Sequence, residues 1–183
     1  VEQLASAAVI RGRVLDPNNK PVGGQAARVT VLPMISYGVE PNSQGYFEVP
    51  WSQEWMKEGQ PAYVVVRDHW GGVASMVEIR EPTGVMTIHL EPALSIKGRV
   101  LDPNGRPIPK ACAFVSLSTE FKCRVPIAAS ETNDEGRFVI KAIPYGCAYR
   151  LSIRAKGYQT CQLTAEADDR SKRTVDIGET RLF

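Results

Sequence analysis

The stretch Ile10-Arg11-Gly12-Arg13-Val14-Leu15-Asp16-Pro17-Asn18-Asn19-Lys20-Pro21-Val22 returns from position 96 as Ile96-Lys97-Gly98-Arg99-Val100-Leu101-Asp102-Pro103-Asn104-Gly105-Arg106-Pro107-Ile108. Nine of the thirteen positions are identical, and three of the other four exchange Arg with Lys or Val with Ile. Two further matches follow in the same order. Asn42-Ser43-Gln44-Gly45-Tyr46-Phe47 is answered by Asn133-Asp134-Glu135-Gly136-Arg137-Phe138, and Tyr63-Val64-Val65-Val66-Arg67 by Tyr149-Arg150-Leu151-Ser152-Ile153-Arg154. Co-linear matches of this kind mark a duplication, and a unit this long is a whole domain rather than a solenoid repeat. We therefore read the chain as two tandem domains, 1–92 and 93–183, each large enough to bury a core of its own.

Within each copy, period-2 alternation of apolar residues bounded by turn residues predicts strands. In the second copy they fall near 95–101, 111–118, 126–132, 137–142, 149–155, 158–164 and 173–182. Seven short strands make a β-sandwich the expected architecture. Asp102-Pro103-Asn104-Gly105 and Asn133-Asp134-Glu135-Gly136 read as turns, with Gly136 and its counterpart Gly45 expected at positive φ. In the first strand Ile96, Gly98 and Val100 share one face, giving a small, branched core face, while Lys97, Arg99 and Leu101 share the other. The first copy carries extra residues between Phe47 and Tyr63, and Trp51 to Gly59 there reads as a single helical turn. The boundary falls near Glu91-Pro92-Ala93, where one copy runs almost directly into the next, so inter-domain motion should be restricted.

Composition narrows the function. Of the 183 residues 43% are hydrophobic and 23% charged, which is globular rather than disordered. Lys and Arg number 22 against 20 Asp and Glu, and a net charge of +2 predicts no nucleic-acid partner. The apolar runs, such as Tyr63 to Val66, are strand-sized, which predicts no membrane insertion. The opening residues Val1 to Ala8 lack an initiator Met, a basic n-region and a long apolar stretch, and read as the start of a piece of something larger.

The run 96–111 (Ile-Lys-Gly-Arg-Val-Leu-Asp-Pro-Asn-Gly-Arg-Pro-Ile-Pro-Lys-Ala), followed by Thr132 to Phe138, Ile143-Pro144-Tyr145-Gly146 and Tyr149 through Gly157-Tyr158, resembles the carboxypeptidase regulatory-like domain. The resemblance covers nearly all of the second copy. It implies a transthyretin-like (prealbumin-like), seven-stranded Greek-key sandwich, in a module appended to peptidases, outer-membrane receptors, surface proteins and regulatory proteins. The first copy shares the first strand and the Asn-Ser-Gln-Gly-Tyr-Phe turn but lacks the Pro-x-Gly-x-Tyr element. The expected fold is therefore two tandem sandwiches of this type, in an extracytoplasmic setting.

Each chemistry open to such a fold meets an obstacle in the residues. The peptidases that lend the family its name need zinc, but His69 and His89 stand in no His-x-x-Glu pattern, so no metal or cofactor is expected. Fold relatives that hydrolyse urate-pathway intermediates end in Tyr-Arg-Gly-Ser, whereas this chain ends Glu179-Thr180-Arg181-Leu182-Phe183. Collagen-adhesin domains of similar architecture cross-link a first-strand Lys to a last-strand Asn or Asp. Lys97 and Asp176 occupy such strands, yet the alternation aims Lys97 away from the core, and Arg11 at the matching position cannot form the amide.

Two residue sets remain. Cys112, Cys123, Cys147 and Cys161 all lie in the second copy without a Cys-x-x-Cys, consistent either with one or two disulfides or with small buried strand residues. Trp51, Trp55 and Trp70, the three tryptophans, all lie in the first copy. They read either as an aromatic platform for polysaccharide or a protein partner, or as plugs for the open end of the sandwich, and the structural role is favoured for Trp51 and Trp55. With no nucleophile, base and orienting group in any motif, the expectation is a monomeric, non-catalytic spacer, scaffold or protein-interaction segment. A carbohydrate-binding or adhesive module is the alternative.

Overall fold

The computed structural model describes residues 8–33, 38–51, 61–68, 70, 72–81, 84–118 and 126–183. Fourteen strands are formed in it, and a three-residue 3-10 turn at Gly24–Ala26 is the only helical element among the described residues. Residues 9–92 supply β1 (Val9–Leu15), β2 (Ala27–Leu32), β3 (Tyr46–Pro50), β4 (Ala62–Asp68), β5 (Val73–Ile79), β6 (Val85–His89) and the two-residue β7 (Glu91–Pro92). Residues 94–181 supply β8 (Leu94–Leu101), β9 (Cys112–Leu117), β10 (Pro126–Glu131), β11 (Arg137–Ile143), β12 (Ala148–Arg154), β13 (Cys161–Glu166) and β14 (Thr174–Arg181). The helical turn expected after Trp51 lies outside the described residues.

Each half is a three-stranded sheet facing a four-stranded one. The orders are β3-β1-β6 and β2-β4-β5-β7 in the first half, and β11-β8-β14 and β10-β9-β12-β13 in the second. The repeated opening stretch forms the centre of each three-stranded sheet: β1 runs antiparallel to β3 and parallel to β6, and β8 runs antiparallel to β11 and parallel to β14. The chain is thus all-β and built from two sandwiches. Only Ala93 separates β7 from β8.

The repeat is an atomic repeat as well. Asp16 Oδ1 accepts the amides of Asn18 and Lys20 at 2.8 Å, and Asp102 Oδ1 accepts those of Asn104 and Arg106 at 2.8 Å. Gly45 and Gly136 close the second turn at φ +81° and +72°, where a Cβ would stand 2.4 Å from the carbonyl oxygens of Val14 and Val100. At the strand centres, Gly12 and Gly98 pair with Phe47 and Phe138 across the sheet, and the missing side chain leaves space filled by the Phe47 ring at Gly12 and by Ile177 with the Phe138 ring at Gly98. Ile10, Val14, Ile96 and Val100 are buried as the alternation predicts, and Arg11 and Lys97 point outward.

One pairing of the copies needs correction. In β4 the buried, inward residues are Ala62, Val64 and Val66, while in β12 they are Tyr149, Leu151 and Ile153. Tyr63 therefore faces outward from the first sandwich and does not correspond to the inward Tyr149. A single slip in a period-2 strand moves a side chain to the other face. The match of Arg67 with Arg154 survives, since each directly follows the last buried inward-facing residue of its strand.

Candidate functional site

The outer face of the first four-stranded sheet is covered along part of its width, with Arg28 and Glu78 left exposed at its margins. Val65 and Leu32 belong to the same apolar cluster as the core of the second sandwich, and Tyr63 and Met76 pack against it. At the end of this row stands Arg67, only 9% exposed. Its Nε donates to the carbonyl of Ala142 at 2.9 Å, Nη1 to that of Ile127 at 2.5 Å and Nη2 to that of Lys141 at 2.7 Å.

These acceptors explain the choice of arginine. Ile127 lies on β10 and Lys141 and Ala142 on β11, the two strands that form one open side of the second sandwich. The β11 register slips between Ile140 and Ile143, with Ala142 at φ +57°, and the β10 register slips between Pro126 and Ala128, so these two irregularities leave carbonyls without ladder partners. A planar guanidinium with several fixed donors satisfies three of them at once, which an ammonium could not do in this geometry. Burial pushes the Arg67 group down to about 10, so it remains a cation at neutral pH.

Other contacts fix the same joint. Ala93 N donates to the Gly72 carbonyl at 2.9 Å, Glu91 pairs with Arg170, and Arg170 lies over the Tyr145 ring at 5.9 Å. The Tyr145 hydroxyl donates to the Lys172 carbonyl at 2.5 Å. Just inside, the buried Tyr149 hydroxyl donates to the Pro144 carbonyl at 2.7 Å. A pocket of about 270 Å³ lined by Tyr63, Met76, Glu78, Leu117, Gly146 and Cys147 lies between the sandwiches.

Sequence reasoning missed Arg67, which looks like an ordinary charged end to a strand. The available signal was the unbroken apolar run Tyr63 to Val66 before it: a strand with one wet face alternates, and one covered on both faces does not.

Trp51 and Trp70 are not brought together. Trp51 is 5% exposed, in the core of the first sandwich, and its amide donates to the Ala8 carbonyl. Trp55 lies outside the described residues. Trp70 is 84% exposed at the tip of the β4–β5 hairpin, with its amide held by Asp68 Oδ1 at 2.8 Å. It presents a single indole to solvent.

Cys112, Cys147 and Cys161 are free thiols, and Cys123 lies outside the described residues. Cys112 pairs across the sheet with the outward Arg154 and Cys161 with the inward Ile153, so their side chains leave opposite faces and cannot be bridged. Burial pushes the Cys147 thiol up to about 11, and burial with the neighbouring Glu131 raises that of Cys112. Neither is an activated nucleophile. Lys97 Nζ lies 3.2 Å from Asp176 Oδ2, but both side chains are about half exposed, so the pair is a surface ion pair and lacks the buried setting of an amide cross-link. No group of three His, Cys, Asp or Glu that could hold a metal ion occurs among the described residues, and His69 lies outside them.

The far side of the second sandwich is open. Between β13 and β14 runs a groove of about 600 Å³, floored by Leu94, Leu163, Ala165, Ala167, Val175 and Ile177. Glu166, Asp168, Asp169, Asp176 and Lys172 form its rim.

Residues 95–178 match the carboxypeptidase regulatory-like domain. The match is confined to the second sandwich and does not extend to the first. No curated protein sequence matches the chain. Among solved structures, the Bacillus anthracis TIE protein is 12% identical, with a TM-score of 0.38, covering 96% of this chain and 34% of that one. Hydroxyquinol 1,2-dioxygenase from Pseudomonas putida is 12% identical with a TM-score of 0.36, covering 49% and 55%. A streptococcal ancillary pilin is 11% identical with a TM-score of 0.32, covering 97% and 64%. The chain thus spans about a third and about half of the first two.

Proposed function

We infer that this chain is a non-catalytic, rigid spacer or scaffold segment of a larger extracytoplasmic protein, presenting its surfaces to partners at a fixed angle. The observation that carries the reading is the Arg67 joint. A flexible pair of domains needs no buried cation spanning both, whereas here one side chain ties β4 of the first sandwich to β10 and β11 of the second. The regulatory-like domain over 95–178 supports the extracytoplasmic setting, since such modules are appended to receptors and surface proteins. Exposed Trp70 favours a second reading, in which the hairpin tip contacts a polysaccharide or protein.

Small-angle scattering and residual dipolar couplings on the whole chain test the rigid reading. A single orientation of the two sandwiches is expected to fit the wild type, and Arg67→Ala to require an ensemble. A wild type that itself needs an ensemble would sink the spacer. Retention on a polysaccharide or partner protein that is abolished by Trp70→Ala would favour the second reading.

A further inference from the structure

The two sheets of the second sandwich have four edge strands, and three are blunted. β10 begins at Pro126 and slips register between Pro126 and Ala128. β11 carries the bulge that Arg67 covers. β14 slips between Asp176 and Glu179, where Gly178 sits at φ +70° and donates its amide to Asp176 Oδ1 at 2.9 Å. Bulges, prolines and covering groups are the usual means by which proteins prevent pairing at a sheet edge. β13 has none of these. Its ladder with β12 runs unbroken from Ala148↔Glu166 to Ile153↔Cys161, and its sequence, Cys-Gln-Leu-Thr-Ala-Glu, contains neither Pro nor Lys.

The free main-chain groups of this edge can be assigned. The Ala148 carbonyl accepts from Ser118 on the β9 side, so the Ala148↔Glu166 pair is not hydrogen-bonded. Because such pairs alternate along an antiparallel ladder, the amides and carbonyls of Gln162, Thr164 and Glu166 point away from the sheet. The inward side chains of the same strand, Leu163 and Ala165, floor the groove together with Val175 and Ile177 of the opposite sheet. The corresponding edge in the first sandwich is in use, since β5 pairs antiparallel with β7 through Val73↔Pro92 and Ala74↔Glu91.

We propose that β13 is a strand-addition site for an extended segment of a partner protein in which apolar residues alternate with basic ones. Main-chain hydrogen bonds would form to Gln162, Thr164 and Glu166, and every second side chain would enter the groove. Its charge preference follows from the rim. Lys172 lies 3.4 Å from Asp169 and Lys97 pairs with Asp176, whereas Glu166 and Asp168 make no salt bridge among the described residues. Basic residues on the incoming strand would complete them, and acidic ones would be repelled. This goes beyond the spacer reading and does not depend on it, because a rigid scaffold with an empty β13 edge would still be a rigid scaffold.

The test uses the full chain and a fluorescent, end-blocked heptapeptide of alternating Lys and Val, with a Glu/Val twin as control. Anisotropy should detect the Lys/Val peptide and not the twin, and amide shifts should centre on Gln162 to Glu166. Thr164→Pro removes an outward amide while leaving the ladder with β12 intact, and should weaken binding about tenfold. Methylating alternate amide nitrogens of the peptide should do the same with the protein unchanged, which covers the case in which the Pro variant misfolds. Glu166→Lys with Asp168→Lys should reverse the preference between the peptides. No binding by either peptide, equal binding of the methylated peptide, or shifts centred elsewhere would overturn the proposal. So would sedimentation showing that β13 instead pairs with β13 of a second copy, in a dimer broken by Thr164→Pro.

Discussion

Arg67 and Arg154 occupy the same place in the two copies, each outward-facing and next after the last buried inward-facing residue of the equivalent strand. Their fates differ entirely. Arg67 is buried against the other sandwich and gives three hydrogen bonds to its main chain, while Arg154 lies exposed, 5.5 Å from the ring of Phe114. The neighbouring outward residues of β4 are Tyr63 and Val65, whereas those of β12 are Arg150 and Ser152. Duplication preserved the inward pattern that makes a sandwich and left the outward pattern free to diverge, so one copy gained a dry docking face and the other a wet one.

The sharpest way to break this comparison is to remove both arginines in turn. Arg67→Ala leaves three carbonyls without their donors in a buried joint and should cost about 3–5 kcal/mol. Arg67→Lys should recover only part of this, since one ammonium cannot match the three acceptors. Arg154→Ala gives up an exposed cation–π contact and should cost less than about 1 kcal/mol. Urea unfolding of the whole chain measures all three. Equal losses for Arg67→Ala and Arg154→Ala would show that the joint contributes nothing to stability.

The same contrast explains what could be read from the sequence. The strands of the second copy fall within a few residues of their expected places, because alternation, Asp-Pro-Asn turns and positive-φ glycines are local signals. Arg67 was invisible because its acceptors lie sixty or more residues away and are main-chain carbonyls, which carry no sequence signature. Their availability depends on the β11 bulge at Ala142 and on the register shift of β10 at Ile127, conformations that no residue type there announces. Among the tryptophans a structural role was legible for Trp51, whereas the exposure of Trp70 was not, since that depends on where the hairpin tip comes to lie. The β13 groove was hidden for a similar reason: its floor comes from two strands that only the topology brings together.

A second pair of substitutions separates structural from surface aromatics. Counting two residues on from Val49 reaches Trp51, and the same step from Ile140 reaches Ala142. A large ring thus fills in the first copy a position held by a bulged alanine in the second. Trp51→Ala should cost about 3–5 kcal/mol, as expected for a buried aromatic cut back to a methyl group. Trp70→Ala should stay within about 0.5 kcal/mol, because the indole is almost wholly in solvent. Iodide should quench Trp70 strongly and Trp51 weakly. A large loss of stability in Trp70→Ala would mean that the hairpin tip is packed.

The smallest effect concerns Tyr63 and Tyr149, which the sequence aligns and the structure places on opposite faces. Burial raises the Tyr149 phenol far above its ordinary value, and burial together with Glu78 raises Tyr63 as well, though less. Up to about pH 10 both folded and unfolded chains hold these protons, so stability does not depend on them. Above that, the unfolded phenol ionises while folded Tyr149 does not, and stability falls by about 1.4 kcal/mol for each further pH unit. The informative quantity is the difference between variant and wild type. Tyr149→Phe gives up the hydrogen bond to the Pro144 carbonyl and should be less stable by about 1 kcal/mol at pH 8. At pH 11 that deficit should vanish or reverse, because the variant has no phenol to ionise. Tyr63→Phe should show a smaller change between the two pH values. Urea midpoints at pH 8 and 11 decide it: a constant deficit for Tyr149→Phe would mean that its phenol ionises as readily in the folded chain as in the unfolded one, contradicting its burial beside the joint.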